Sequence, residues 1–278
     1  MEPLAKLTPM ARRNLLAVIL LVILLALTGA AWVISRSISP LRAGETWYLA
    51  SDGNQLVGWH VVQRETAAGG GSRGYSVEFL RRGTDTLVTW TLWQFGADQQ
   101  RGEYVSRLGA LRRGRPLADV VTEIVYDAPL VALTNVNRAG RRTRTVEVGE
   151  DYIPEGRLRP TIADVARTGE TFQGSLAVDA QLAVVPVILE AEGPALHRLN
   201  DQQVKLTAVR LTWPSADVDA PAQRYLVDDD GSIVVIQTLT AQGRVTRTLT
   251  RTALDEVRRH YPRAHLIRNQ LLEATQQE

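Results

Sequence analysis

Residues 46–64 read TWYLASDGNQLVGWHVVQR, and this stretch decides the fold. Thr46 to Ala50 and Leu56 to Arg64 alternate apolar and polar side chains with the two-residue period of a half-buried strand. Ser51-Asp52-Gly53-Asn54 lies between them, and Asp-Gly supplies the positive φ angles that a tight hairpin requires. A protein that opens in this way is building an antiparallel sheet.

The same pattern continues outward. Tyr75 to Arg81 and Thr86 to Trp93, turned at Gly83, read as a second hairpin, followed by Gly102 to Leu108, Ala118 to Tyr126, Leu130 to Asn135 and Arg141 to Val148. After an interruption at Ile153-Pro154-Glu155-Gly156, Thr161 to Arg167 reads as a short helix. Strands resume at Thr171 to Val178, Ala183 to Glu190, Gln203 to Trp213, Gln223 to Val227, Ser232 to Thr240 and Arg244 to Arg251. Asp228-Asp229-Asp230-Gly231 and Gln242-Gly243 mark further hairpin turns. Pro186 and Trp213-Pro214 place their strands at an edge or a bulge, because proline has no N–H for the ladder. Thr252 is the expected N-cap of a helix from Ala253 to about His260, and Pro262 the start of a second helix to about Ala274. The expected class is mainly β: a curved, half-barrel-like antiparallel sheet with a short mid-chain helix and C-terminal helices.

Before the sheet, Leu15 to Ile34 form twenty consecutive residues without a charge. At about 1.5 Å rise per residue they span roughly 30 Å, the thickness of a bilayer's hydrocarbon core. Lys6, Arg12 and Arg13 precede this run, which points to a cytoplasmic N-terminus. The expected organisation is a cytoplasmic tail at 1–14, a transmembrane helix at 15–34, a linker at 35–44 and an extracytoplasmic β domain at 45–278, in two possible halves, 45–150 and 151–278. Cleavage of residues 1–31 as a secretory signal is the competing reading, and it exports the same domain.

Composition removes several function classes. The 278 residues include no cysteine, which excludes thiol nucleophiles, disulfides and thiolate metal sites. Neither Lys6 nor Lys205 follows a glycine, so there is no Walker A loop. Setting aside Lys6, Arg12, Arg13 and Glu2, the 32 basic and 30 acidic residues become 29 of each, so the exported part is formally neutral. Its densest basic cluster, Arg138, Arg141, Arg142 and Arg144, contains no aromatic residue to stack a base. Solvated turns fit this cluster, an anionic surface such as lipid headgroups is the functional alternative, and nucleic acid is not expected.

No constellation identifies a catalytic, cofactor or metal site. His260 and His265 are five apart with Pro262 between them, which is not a ligand pair on one helical face. Gly69 to Gly74 precedes a strand-like YSVEFLRR and not a helix, so it reads as a hairpin tip. The three aspartates at 228–230 are consecutive and unlike the spaced ligands of an EF-hand. Trp47, Trp59, Trp90 and Trp93 cluster early in the β region, with Trp90 and Trp93 on opposite faces of their strand. Core packing and the lining of a lipid-accepting concave sheet both fit these aromatics.

Trp47-Tyr48 leading into Asp52-Gly53, then Val57-Gly58-Trp59, and later YLVDDDGSIVVIQ from Tyr225 followed by TRTLTRT and a closing helix, resemble the periplasmic LolA-like family of lipoprotein carriers. The resemblance implies a half-barrel wrapped over an apolar concavity. The opening is also similar to the sheet domain that precedes transglutaminase-like domains in bacterial envelope proteins. No cavity residue of either family maps onto a motif here.

These observations support a non-enzymatic, single-pass protein of the inner membrane, held in the bilayer by residues 15–34. Its periplasmic β domain would bind a lipid, a lipoprotein or an envelope partner. An envelope hydrolase, with His60 as the first residue to test, and a structural assembly partner are the alternatives.

Overall fold

The computed structural model describes residues 44–276 apart from 67–69, 84, 99, 113–114, 179–180, 200 and 215–220. The anchor, the tail and most of the linker expected at 1–44 therefore lie outside the described residues. Among the described residues no helix is long and apolar enough to cross a membrane. Residues 42–278 form one compact unit.

Fourteen strands form one antiparallel sheet. The first meander comprises β1 (Glu45–Asp52), β2 (Gln55–Thr66), β3 (Ser72–Arg82), β4 (Asp85–Phe95), β5 (Arg101–Arg112), β6 (Arg115–Asp127), β7 (Leu130–Asn137) and β8 (Gly140–Glu147). Helix α1 (Glu155–Thr168) follows, and the second meander comprises β9 (Phe172–Val178), β10 (Ala183–Leu199), β11 (Gln202–Thr212), β12 (Ala222–Val227), β13 (Ile233–Leu239) and β14 (Val245–Thr252). Helices α2 (Leu254–His260) and α3 (Ala264–Gln276) close the chain. The spatial order is β8-β7-β6-β5-β4-β3-β2-β1-β14-β13-β12-β11-β10-β9. Each meander pairs neighbours in sequence, and the single long-range seam is β1 on β14, with Trp47 opposite Thr252 and Ser51 opposite Thr248. The two halves are thus parts of one sheet.

Each predicted strand is present, with boundaries shifted by a few residues except in β10, which continues past the expected end at Glu190 to Leu199. Gly53 turns the first hairpin at φ +60°, a conformation costly for any side chain with a Cβ. The Asp228 turn is held by its own chemistry: the Oδ1 accepts from the Ser232 N–H at 2.7 Å and the Oδ2 pairs with Arg251 at 3.3 Å. Pro186 pairs with Ser175 of β9, while pairing to β11 begins only at Ile188, so its strand is one-sided where the proline falls.

The helices depart from expectation at their starts. The mid-chain helix begins at Glu155 and not near Thr161. Pro154 is its N-cap, and Pro160 lies within it, so the prolines that suggest an interruption instead fix φ in and before the first turns. Gly169, left-handed at φ 74°, ends the helix by donating its N–H to the Val165 carbonyl at 2.9 Å. The N-cap of α2 is Ala253 in place of Thr252, with no side-chain cap, and α3 starts at Ala264 in place of Pro262.

The sheet is covered on both faces. On one face, Trp47, Trp59, Val61, Val77, Phe79 and Trp90 pack under Leu254, Val257, Tyr261 and Leu271 of the C-terminal helices. On the other, Ile162 and Val165 of α1 pack with Val187, Leu189, Val209 and Leu211. Each such buried aliphatic side chain contributes about 1.5–3 kcal/mol. The sheet curls far enough that its ends meet: Ile124, Tyr126, Val131 and Leu133 from β6 and β7 share a cluster with Ala177, Leu182 and Val184 from the β9–β10 hairpin. The segment after β8 bridges the gap, the Ile153 N–H donating to the Ser175 carbonyl at 2.8 Å and the Ser175 N–H to the Asp151 carbonyl at 3.1 Å.

Candidate functional site

Side chains of one parity from β1 to β4 face α1, and their neighbours face α2 and α3. Tyr48, His60 and Glu78 stand in one cross-strand row, and Val62, Ser76, Thr91, Ser106, Thr122 and Asn135 in the next. This second row is a polar ladder: the Thr91 hydroxyl donates to Ser106 at 3.3 Å and the Asn135 amide to Thr122 at 3.2 Å. The third row is Arg64, Gly74, Trp93, Tyr104, Ile124 and Leu133. Gly74 matters here because a Cβ would overlap the Trp93 ring, which lies across it.

Between these rows and the first turn of α1 is a cavity of about 100 Å³ lined by His60, Arg64, Ser76, Trp93, Glu155 and Arg159. A second cavity of about 50 Å³ is lined chiefly by Phe95, Tyr104, Ile124, Tyr126, Tyr152 and Leu176, and shares Glu155 with the first. At roughly 10–15 Å³ for one water, each has room for several small groups. The first is lined by charged and polar side chains around Trp93, the second by aromatic and aliphatic side chains together with tyrosine hydroxyls, and the first residue of α1 borders both.

The electrostatics of the polar cavity are unusual. Arg159 donates to the Tyr48 hydroxyl at 3.4 Å, with its guanidinium carbon 6.0 Å from that ring, and Tyr48 in turn donates to the Ile233 carbonyl at 3.0 Å. Among the described residues neither Arg159 nor Arg64 forms a salt bridge. Burial, then the Arg159 charge, depresses the His60 imidazole from 6.5 to about 3. The same two causes pull the Arg64 guanidinium below its usual value. Burial raises the Glu155 carboxyl, opposed by Arg159. Glu155 and Arg64 are both exposed, so this cavity opens to solvent along that wall. His60 Nδ1 and Trp93 Nε1, atoms of residues that line this cavity, are buried without accessible surface and, among the described residues, without a hydrogen-bond partner.

The candidate aromatics divide between the faces. Trp47, Trp59 and Trp90 are packed beneath the C-terminal helices, the first two with ring centroids 5.4 Å apart, while Trp93 alone of the four lines the interior. Arg138, Arg141, Arg142 and Arg144 gather at the β7–β8 turn and on the edge strand β8. Arg138 pairs with Asp119 at 2.8 Å and Arg141 with Glu123 at 3.4 Å, while Arg142 and Arg144 form no salt bridge among the described residues. The interior groups Arg159, Glu155 and Arg64 are not singled out by the sequence. The alternation that puts His60 and Arg64 on one face of β2 was the available signal.

No family model matches the chain, and no curated protein matches it. Among solved structures, the fold is similar to a crystal structure of a β-barrel-like protein of a domain of unknown function, DUF1849, from Brucella abortus. The two are 11% identical over 75% of this chain and 94% of the other, with a TM-score of 0.56. This likeness concerns the fold alone.

Proposed function

We propose that the chain is a membrane-anchored, non-enzymatic protein of the bacterial envelope whose β domain binds an amphiphile, a lipid or the acylated end of a lipoprotein, inside its curved sheet. In this reading residues 15–34 hold it in the inner membrane with the β domain in the periplasm, and the interior plays the part that the apolar concavity plays in LolA-like carriers. The observation that carries the reading is the pair of adjoining cavities that meet at Glu155, each with walls of mixed polar and apolar character. An amphiphile offers both kinds of contact to such walls, whereas a fully packed core would leave neither space.

The hydrolase alternative loses ground on the same residues. A histidine depressed to about 3 is a poor general base near neutral pH, and Ser76, on the same cavity wall, has no hydrogen bond to it.

Native mass spectrometry of the full chain, released from neutral detergent, tests the binding reading. One retained lipid per chain is expected, lost in Ala177→Trp, which fills the aromatic cavity. A chain released without ligand under conditions that preserve its fold would contradict it.

A further inference from the structure

We propose that the polar cavity beside α1 is a receptor for a single carboxylate or phosphate group, held between Arg159 and Arg64. The proposal rests on the amphiphile reading only for the source of that anion; the site itself stands on geometry.

Two guanidinium groups line one cavity, and among the described residues no carboxylate is close enough to pair with either. Like charges facing one another across a partly desolvated space repel, and an anion between them removes that repulsion. Arginine is suited to the task, since its fork of N–H groups matches carboxylate and phosphate oxygens.

The Trp93 ring lines this cavity, and its Nε1–H, buried without accessible surface, reports on an occupant without contacting it. The first turn of α1 also borders the cavity at Glu155 and Gly156, and its N-cap, Pro154, provides no side-chain acceptor for the free N–H groups. Such a helix end favours negative charge. Ser76 adds a hydroxyl that can donate. Glu155 is the carboxylate among the residues that line this cavity; it borders the second cavity too and makes no salt bridge to Arg159, although the Arg159 charge favours its ionised form.

The test uses the full chain in neutral phosphatidylcholine nanodiscs with its six tryptophans labelled at the indole nitrogen, the Trp93 resonance being assigned from Trp93→Phe. Hexanoate, hexanol, acetate and inorganic phosphate are titrated in turn. Saturable movement of the Trp93 resonance by hexanoate, weakened at least tenfold in Arg159→Met and in Arg64→Met and partly restored in Arg159→Lys, supports the proposal. Arg64 is exposed enough that its replacement preserves the fold if Arg159→Met does not. Hexanol binding as tightly as hexanoate, with no dependence on either arginine, would overturn the anion receptor and leave the amphiphile reading standing. Acetate and phosphate binding as tightly as hexanoate would support the receptor and assign it to free small anions in place of lipid headgroups. A Trp93 resonance indifferent to every probe would overturn the receptor.

Discussion

Glu45 and Arg268, 223 residues apart in sequence, form an ion pair whose two side chains have no accessible surface. Glu45 opens β1 and Arg268 lies on α3, so the pair ties the C-terminal helix to the strand that joins the two meanders. Tyr75 donates to the same carboxylate, the Trp47 indole donates to its other oxygen at 3.2 Å, and the guanidinium carbon of Arg268 lies 5.8 Å from the Trp47 ring. The desolvation cost of both charges is offset only while these partners are present together.

Removing one member should therefore be worse than removing both. Glu45→Leu or Arg268→Met is expected to lower unfolding free energy by about 3–5 kcal/mol, because the remaining charge stays buried. Glu45→Leu combined with Arg268→Met should recover most of that loss. Denaturant unfolding of the four proteins, followed by tryptophan fluorescence, gives the coupling directly; additive losses would argue against a coupled pair.

Histidine 60 predicts a pH dependence with a definite sign. Its imidazole is depressed to about 3 in the folded protein against 6.5 when unfolded, so between those values the unfolded chain binds the extra proton. Stability from this group is complete above about pH 6.5 and falls on acidification, by at most about 1.4 kcal/mol per pH unit. Glu155 and Glu78, both raised chiefly by burial, act in the opposite direction. The difference in stability between the wild type and His60→Asn isolates the histidine: it should grow more favourable to the variant as pH falls from 6.5. A constant difference would show that His60 titrates normally.

Gly74→Ala is expected to cost about 1–3 kcal/mol through overpacking, since the new methyl would overlap the Trp93 ring and the Gln63 carbonyl. Gly53→Ala strains a turn but touches nothing within 4 Å, so it should leave Trp93 undisturbed. Only the first variant should move the Trp93 indole resonance.

The arginines of β8 have a structural consequence of their own. This strand is one end of the sheet, and apart from Val146 its side chains are exposed. Charged side chains on such an edge discourage pairing with a second molecule. Replacing Arg141, Arg142 and Arg144 together with valine should produce concentration-dependent association in light scattering, with stability changed little; a monodisperse variant would remove this role.

The local parts of this architecture are legible in sequence because hairpins are local. Asp52-Gly53 and Asp228 to Gly231 announce their turns, and alternation assigns Trp90 and Trp93 to opposite faces. The start of α1 is obscured because Pro154, within Ile153 to Gly156, looks like a breaker, although a proline at this end is compatible with the start of a helix. Long-range geometry is hidden for a different reason. Nothing near Glu45 specifies Arg268, and Arg159 enters the interior only because α1 crosses from β4 to β10, β11 and β12. The interior cavity is thus assembled from a strand pattern that can be read and a helix position that cannot.

The central claim is that the space inside the sheet holds an amphiphile. Its most direct test replaces Tyr104, on the wall of the aromatic cavity, with photoreactive azidophenylalanine, in which an azide takes the place of the hydroxyl, in the full chain irradiated in native membranes. The same replacement at Val125, which is 47% exposed, serves as the outward-facing comparison. A lipid or acyl adduct formed at position 104 and not at 125 is the result expected. Protein without an adduct at 104, or equal labelling at both positions, would contradict an interior ligand.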